Sequence, residues 1–203
     1  MSASEMKLTP QQALEQLKAG NSRFSAGQME YPRLGRPRRE EVTREGQHPI
    51  ATVVSCSDSR VPVEHIFDQG IGDLFIIRVA GNVCANDETG SVEYGVLHAG
   101  TPLCVILGHT HCGAVTAVAS GAEAGGCIPK LVEPIKRPVE KAKAELPGAG
   151  LDTVVAQAVR HNVTQAIDDL LTGSPDLRSA VESGDLLVKG AVYDIQSGVV
   201  EWM

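Results

Sequence analysis

Apolar residues come in short unbroken blocks along this chain rather than in alternation. Ile50–Val54, Leu74–Ile77 and Leu103–Leu107 are three such blocks, and Leu186–Val188 running on to Ala191–Tyr193 is a fourth. They are rich in β-branched residues, and continuous runs of this kind mark strands covered on both faces, as in a parallel sheet. Between them the apolar residues recur at helical spacing over Thr89–His98, Gly113–Ser120 and Leu151–Leu171, and Lys136–Gly150 is a further helical stretch bounded by Pro138 and Gly150. Gly121–Gly126 is a small-residue loop. Ahead of the first strand, Thr9-Pro10 supplies an N-cap followed by a first-turn proline, and Ala13, Leu14, Leu17 and Phe24 predict a helix within Leu8–Ala26. The polar stretch Tyr31–Gly46 carries Arg33, Arg36, Arg38 and Arg39 beside Glu40 and Glu41, and reads as a solvated connector rather than an anion patch. Asp194–Val199 reads as a closing hairpin that adds an antiparallel edge strand. The pattern predicts an α/β fold: a mostly parallel sheet with flanking helices, right-handed crossovers and an N-terminal helical arm. A single domain spans residues 1–203, with residues 1–46 as the arm and 47–203 as the α/β core.

Composition narrows the function. The 203 residues are 42% hydrophobic, enough for a core. A net charge of −7 argues against a nucleic-acid partner, which needs a basic face. Aromatics at 3% argue against a stacking surface for sugars or single strands. No apolar run approaches the ~20 residues of a membrane span, and Met1–Lys7 has no signal-peptide core. Five cysteines without a secretion signal suit a reducing cytoplasm, where thiols serve as ligands, nucleophiles or core filler.

Two segments carry the chemistry. Cys56-Ser57-Asp58-Ser59-Arg60 follows the first strand, and His109-Thr110-His111-Cys112-Gly113 follows the third. Loops at the carboxyl ends of parallel strands are where α/β proteins build their sites. If strands one and three are neighbours, with the second on the far side of the first, both loops converge. Cys56, His109 and Cys112 then form a Cys₂His set suited to zinc, and three protein ligands leave a fourth position for water or for Asp58. Asp58 and Arg60 fall on one side of an extended loop, where arginine keeps the carboxylate ionised. Cys112-Gly113 opens a helix whose positive end favours a thiolate, and the Gly113 N–H is free for a developing anion. Cys84, Cys104 and Cys127 read as core filler, His48, His65, His98 and His161 as structural, and His111 as a solvent-facing loop residue or a proton shuttle. A phosphatase cradle of the Cys-x₅-Arg type is missing, since only three residues separate Cys56 from Arg60. No G-x-G-x-x-G follows the first strand.

These two motifs, in this order, resemble the signatures of the β-class carbonic anhydrases. The likeness continues through Gly72–Phe75, Arg78–Asn82, Glu93–His98, Gly190–Asp194 and the N-terminal helix, so it covers nearly the whole chain. It implies a zinc enzyme that interconverts carbon dioxide and bicarbonate through a zinc-bound hydroxide, with one Zn²⁺ held by Cys56, His109 and Cys112. It implies Asp58 and Arg60 as the catalytic pair, Asp58 being the fourth ligand in a closed state. Gln47 matches a substrate-binding glutamine, and Phe75 and Tyr94 match the lining of an apolar cleft at a subunit interface, so that either ring comes from the neighbouring chain. The unit implied is a homodimer or a dimer of dimers. Val53 and Ser55 stand where some members carry the Trp and Gly of an inhibitory bicarbonate pocket, so that pocket is not expected. Alternatives are a carbonyl sulfide or carbon disulfide hydrolase on the same fold, and a zinc-binding protein without turnover.

Overall fold

The computed structural model describes residues 8–203; the segment Met1–Lys7 lies outside the described residues. In chain order the elements are α1 (Pro10–Ser25), α2 (Arg36–Glu45), β1 (Ala51–Cys56), α3 (Val63–Ile66), β2 (Leu74–Val79), α4 (Asn86–Glu93) running into a π-helical turn (Tyr94–His98), and β3 (Leu103–His109). Then follow α5 (Gly113–Ser120), α6 (Ile128–Leu131), α7 (Lys136–Glu145), α8 (Leu151–Gly173), α9 (Pro175–Ser183), β4 (Leu187–Tyr193) and β5 (Val200–Trp202). The strands form one sheet in the order β2-β1-β3-β4-β5. The first four are mutually parallel, and β5 runs antiparallel to β4 after a turn closed by the Asp194 N–H on the Val199 carbonyl at 2.8 Å. The α/β architecture expected from the apolar blocks is therefore the one observed, with β1 and β3 adjacent and β2 beyond β1.

Both faces of the sheet are covered. Val54, Cys104, Ile106 and Val192 lie in the cluster beneath α5, α7 and α8, while Ala51, Val53, Val105 and Leu107 lie in a second cluster with α1 and α3. This is why the central strands lack polar alternation. Helix α8 approaches β3 closely because position 108 has no side chain: a Cβ there would come 2.7 Å from Val163 Cγ2. Among the described residues, no helix is long and apolar enough to cross a membrane.

One expectation is corrected here. The Tyr31–Gly46 stretch is no mere connector, since it contains the ten-residue helix α2, which buries none of its residues. Ion pairs hold it in place of an apolar face: Arg36 with Glu40 at 2.6 Å, and Arg38 with Glu41 and with the buried Asp73. Arg33 also takes Asp73, so the arm is pinned to the start of β2 by two arginines on one carboxylate. Helix α9 adds a second helix outside the apolar pattern; its Ser174 cap accepts from the Leu177 N–H at 3.2 Å.

Candidate metal centre

The site begins where two neighbouring strands end. Cys56 is the last residue of β1 and His109 the last of β3, and Cys112 caps the start of α5 three residues later. Because β1 and β3 pair directly, these ends are side by side. The ligand atoms of Cys56, His109 and Cys112 all lie within 4.8 Å of one another, and all three residues are buried.

The donor set fits a metal. His109 Nδ1 is 2.9 Å from the Thr110 carbonyl oxygen, which can only accept; Nδ1 therefore carries the hydrogen and Nε2 presents its lone pair. That Nε2 is buried without a protein partner, a costly arrangement unless an electron-pair acceptor completes it. Thr110 is itself fixed, its hydroxyl accepting from the Ile195 N–H at 3.1 Å and donating to Asp194 at 3.3 Å. The neighbouring Cys112 thiol and the Gly81 N–H hold the Cys56 thiol well below its ordinary range, although burial opposes them. Cys112 is pushed up because it is the partner that keeps its proton, shared toward Cys56, and is buried beside that charge. Thiolate sulfur and imidazole nitrogen are the borderline-soft donors that zinc takes, and three such ligands leave one position open.

Asp58 and Arg60 stand at the rim. Arg60 donates through Nε–H to one Asp58 oxygen at 2.9 Å and through Nη2–H to the other at 2.7 Å, and the Arg60 backbone N–H adds a third bond at 2.9 Å. These bonds, the guanidinium first, hold the Asp58 carboxyl well below the usual carboxylate range. Asp58 Oδ2 lies 4.0 Å from His109 Nε2, so the carboxylate sits beside the ligand set while turned to arginine. Arg60 also reaches the carbonyl of His111, an exposed residue held in the left-handed region at φ 55°.

Two contributors carry no signal in the local motifs. Arg78, on β2, donates to the carbonyls of Cys56 at 3.1 Å and Asp58 at 2.6 Å, bracing the loop that bears both. Gly81 donates its N–H to Cys56 Sγ at 3.3 Å. Only the register of β1 against β2, which sets Cys56 opposite Val79, brings these residues in.

The other site residues fall elsewhere in the chain. Gly113 is exposed, with open space where a side chain would be. Gln47 is exposed ahead of β1, at the opposite end of the strand from Cys56. Phe75 pairs with Thr52, four positions before the Cys56 level and so roughly 13 Å back along the strand. Its ring stacks on Tyr94 at 5.9 Å, and Tyr94 is 55% exposed and lies 5.3 Å from the His98 ring. One chain thus assembles the ligands with Asp58 and Arg60, and leaves Gln47, Phe75 and Tyr94 apart from them. Of the three remaining cysteines, Cys84 and Cys104 are buried as expected, burial pushing the Cys104 thiol up to about 12. Cys127 is exposed, because it sits in the small-residue loop before α6, and is not core filler. His161, for which the sequence suggests no partner, bonds Glu145 at 2.7 Å.

Comparison with known proteins gives the family. Residues 51–200 match the carbonic anhydrase family profile. The chain belongs to the β-carbonic anhydrases. It is 38% identical to a carbonic anhydrase of Mycolicibacterium smegmatis over 95% of this chain and 92% of that one. It is 36% identical to carbonic anhydrase 2 of Mycobacterium tuberculosis over 93% and 90%. Among solved structures it resembles a tetrameric β-carbonic anhydrase of Sordaria macrospora, with a TM-score of 0.76, 27% identity and coverage of 83% and 87%. A β-carbonic anhydrase of Aspergillus fumigatus is similar at a TM-score of 0.74 and 31% identity, covering 94% and 88%.

Proposed function

We propose that the chain is a zinc carbonic anhydrase, reversibly hydrating carbon dioxide to bicarbonate and a proton. The observation that carries this is the buried Cys56–His109–Cys112 group, with an unpartnered imidazole nitrogen, flanked by the Asp58–Arg60 pair. Cys56, His109 and Cys112 hold the metal. Zinc held there would supply a Lewis acid able to make water acidic near neutral pH. Asp58, kept ionised by Arg60, would accept a hydrogen bond from the attacking water and orient it. The Gly113 N–H, at the positive end of α5, faces the charge that develops on the substrate. His111, exposed at the mouth, or Asp58 passes the proton to buffer.

Gln47, Phe75 and Tyr94 complete the cleft from a second copy of the chain. Support comes from their separation from their own metal ligands and from the free edge of β2, beside which Tyr94 and Leu97 are exposed. Phe75 and Tyr94 provide an apolar slot for a small apolar substrate, and Gln47 donates to its oxygen. The working unit is a homodimer or a dimer of dimers of single-domain chains, acting in the cytoplasm. Without zinc, the chain should dehydrate bicarbonate no faster than buffer; one equivalent of zinc should restore activity. Failure of restoration with zinc bound would overturn the reading. Mixing a Cys56→Ala chain with a Gln47→Ala chain tests the shared cleft, since hybrids regain one intact site; mixtures no more active than their components would refute it.

A further inference from the structure

We infer that Asn162 is a positioning residue for the metal-ligating sulfur of Cys56, acting from α8 through the backbone of Gly81. The inference rests on the reading of Cys56, His109 and Cys112 as zinc ligands. Asn162 is only 2% exposed and belongs to the face of α8 that otherwise presents Val155, Ala158, Val159, Val163 and Ala166 to the core. A buried amide in such a stripe needs a partner. Its Nδ2 donates to the Gly81 carbonyl at 2.7 Å, and Gly81 in turn donates its N–H to Cys56 Sγ at 3.3 Å.

The loop after β2 has few other ties. The Asn82 N–H closes a turn on the Val79 carbonyl at 3.1 Å, but the Asn82 side-chain nitrogen is buried without a protein partner and holds nothing. The side chain that fixes the orientation of Gly81 thus comes from a helix about eighty residues further along the chain. An N–H···S bond draws electron density from a thiolate. A metal bound to that sulfur then receives less charge and stays more Lewis-acidic. Asn162 therefore touches neither substrate nor metal, yet sets both the place and the donor strength of one ligand.

The test uses the full chain loaded with cobalt(II) in place of zinc, reading the cysteine-to-cobalt charge-transfer band, and zinc affinity by competition with a chromophoric chelator. The variants are Asn162→Leu, which removes the donor at similar volume, and Asn162→Ser, a milder change whose hydroxyl is too short to reach. Val155→Ala, which truncates a buried side chain on the same helix, serves as the stability control. Both Asn162 variants should shift the band to longer wavelength and weaken zinc binding by about 10- to 100-fold, with Val155→Ala doing neither. If Asn162→Leu fails to fold, Asn162→Ser carries the same expectation. A band and an affinity within twofold of the parent in the folded Asn162 variants would overturn the inference and leave Asn162 as a packing residue. A parent chain with no thiolate band at all would instead overturn the zinc-ligand reading, and this inference with it.

Discussion

Adding a single methyl group at Gly81 probes the packing that seats the loop over the metal ligands. Gly81 has φ +81°, a left-handed conformation that costs a residue with a Cβ about 1–2 kcal/mol. Its added Cβ would lie 2.5 Å from Ile135 Cδ1 and 3.3 Å from Ala114 Cβ. Overpacking of that kind costs about 1–3 kcal/mol. Gly81→Ala should therefore lose about 2–5 kcal/mol, a large part of the stability of an ordinary domain. The two contributions separate in a double-mutant cycle. Ile135→Val removes the Cδ1 atom and should cost about 0.5–1.5 kcal/mol alone. In its background the Gly81→Ala penalty should shrink by about 1–2 kcal/mol, leaving the backbone part. Urea unfolding at fixed protein and free-zinc concentration measures all four chains. A Gly81→Ala chain within about 0.5 kcal/mol of the parent, or a penalty unchanged by Ile135→Val, would refute the reasoning.

Other consequences follow from named groups. Asp58→Asn leaves all three ligands in place, so zinc content by metal analysis should stay at the parent level while carbon dioxide hydration falls by about 10²- to 10⁴-fold; full activity would remove Asp58 from the mechanism. Burial alone would raise Asp68, but the Glu30 N–H, the Arg23 side chain and the Tyr31 N–H outweigh it and hold the carboxyl below its ordinary value. The stability from Asp68 is then present above its unfolded value of about 3.9 and lost as pH falls toward the folded one. Urea midpoints should accordingly drop below about pH 4, and Asp68→Asn should flatten that decline. In the native zinc-loaded chain Cys127 should react with a thiol reagent within minutes, while Cys84 and Cys104 react only after denaturation, as mass spectrometry would show.

What the sequence reveals divides along physical lines. The four parallel strands and helices α1, α5, α7 and α8 are legible because each buries an apolar surface, and burial leaves a period or a block in the sequence. Helix α2 buries nothing and rests on ion pairs to Glu40, Glu41 and Asp73, so hydrophobic periodicity passes over it. The ligands and the Asp58–Arg60 pair are legible because each motif lies within a few residues. Asn162 is not, and although Arg78 and Gly81 lie in a stretch that carries the family likeness their contacts are not either, since all three reach Cys56 and its neighbours only through strand register and helix packing. Cys127 misleads for the opposite reason: a cysteine among small residues looks like core filler until the fold sets that loop on the surface.

Stopped-flow hydration of carbon dioxide by the zinc-loaded chain at mildly alkaline pH, with Cys56→Ala as control, tests the central assignment most directly. Fast hydration by the parent, lost together with the metal in Cys56→Ala, is the expected result. A parent that holds one zinc per chain and hydrates carbon dioxide no faster than buffer, or a Cys56→Ala chain that keeps the parent rate, would contradict it.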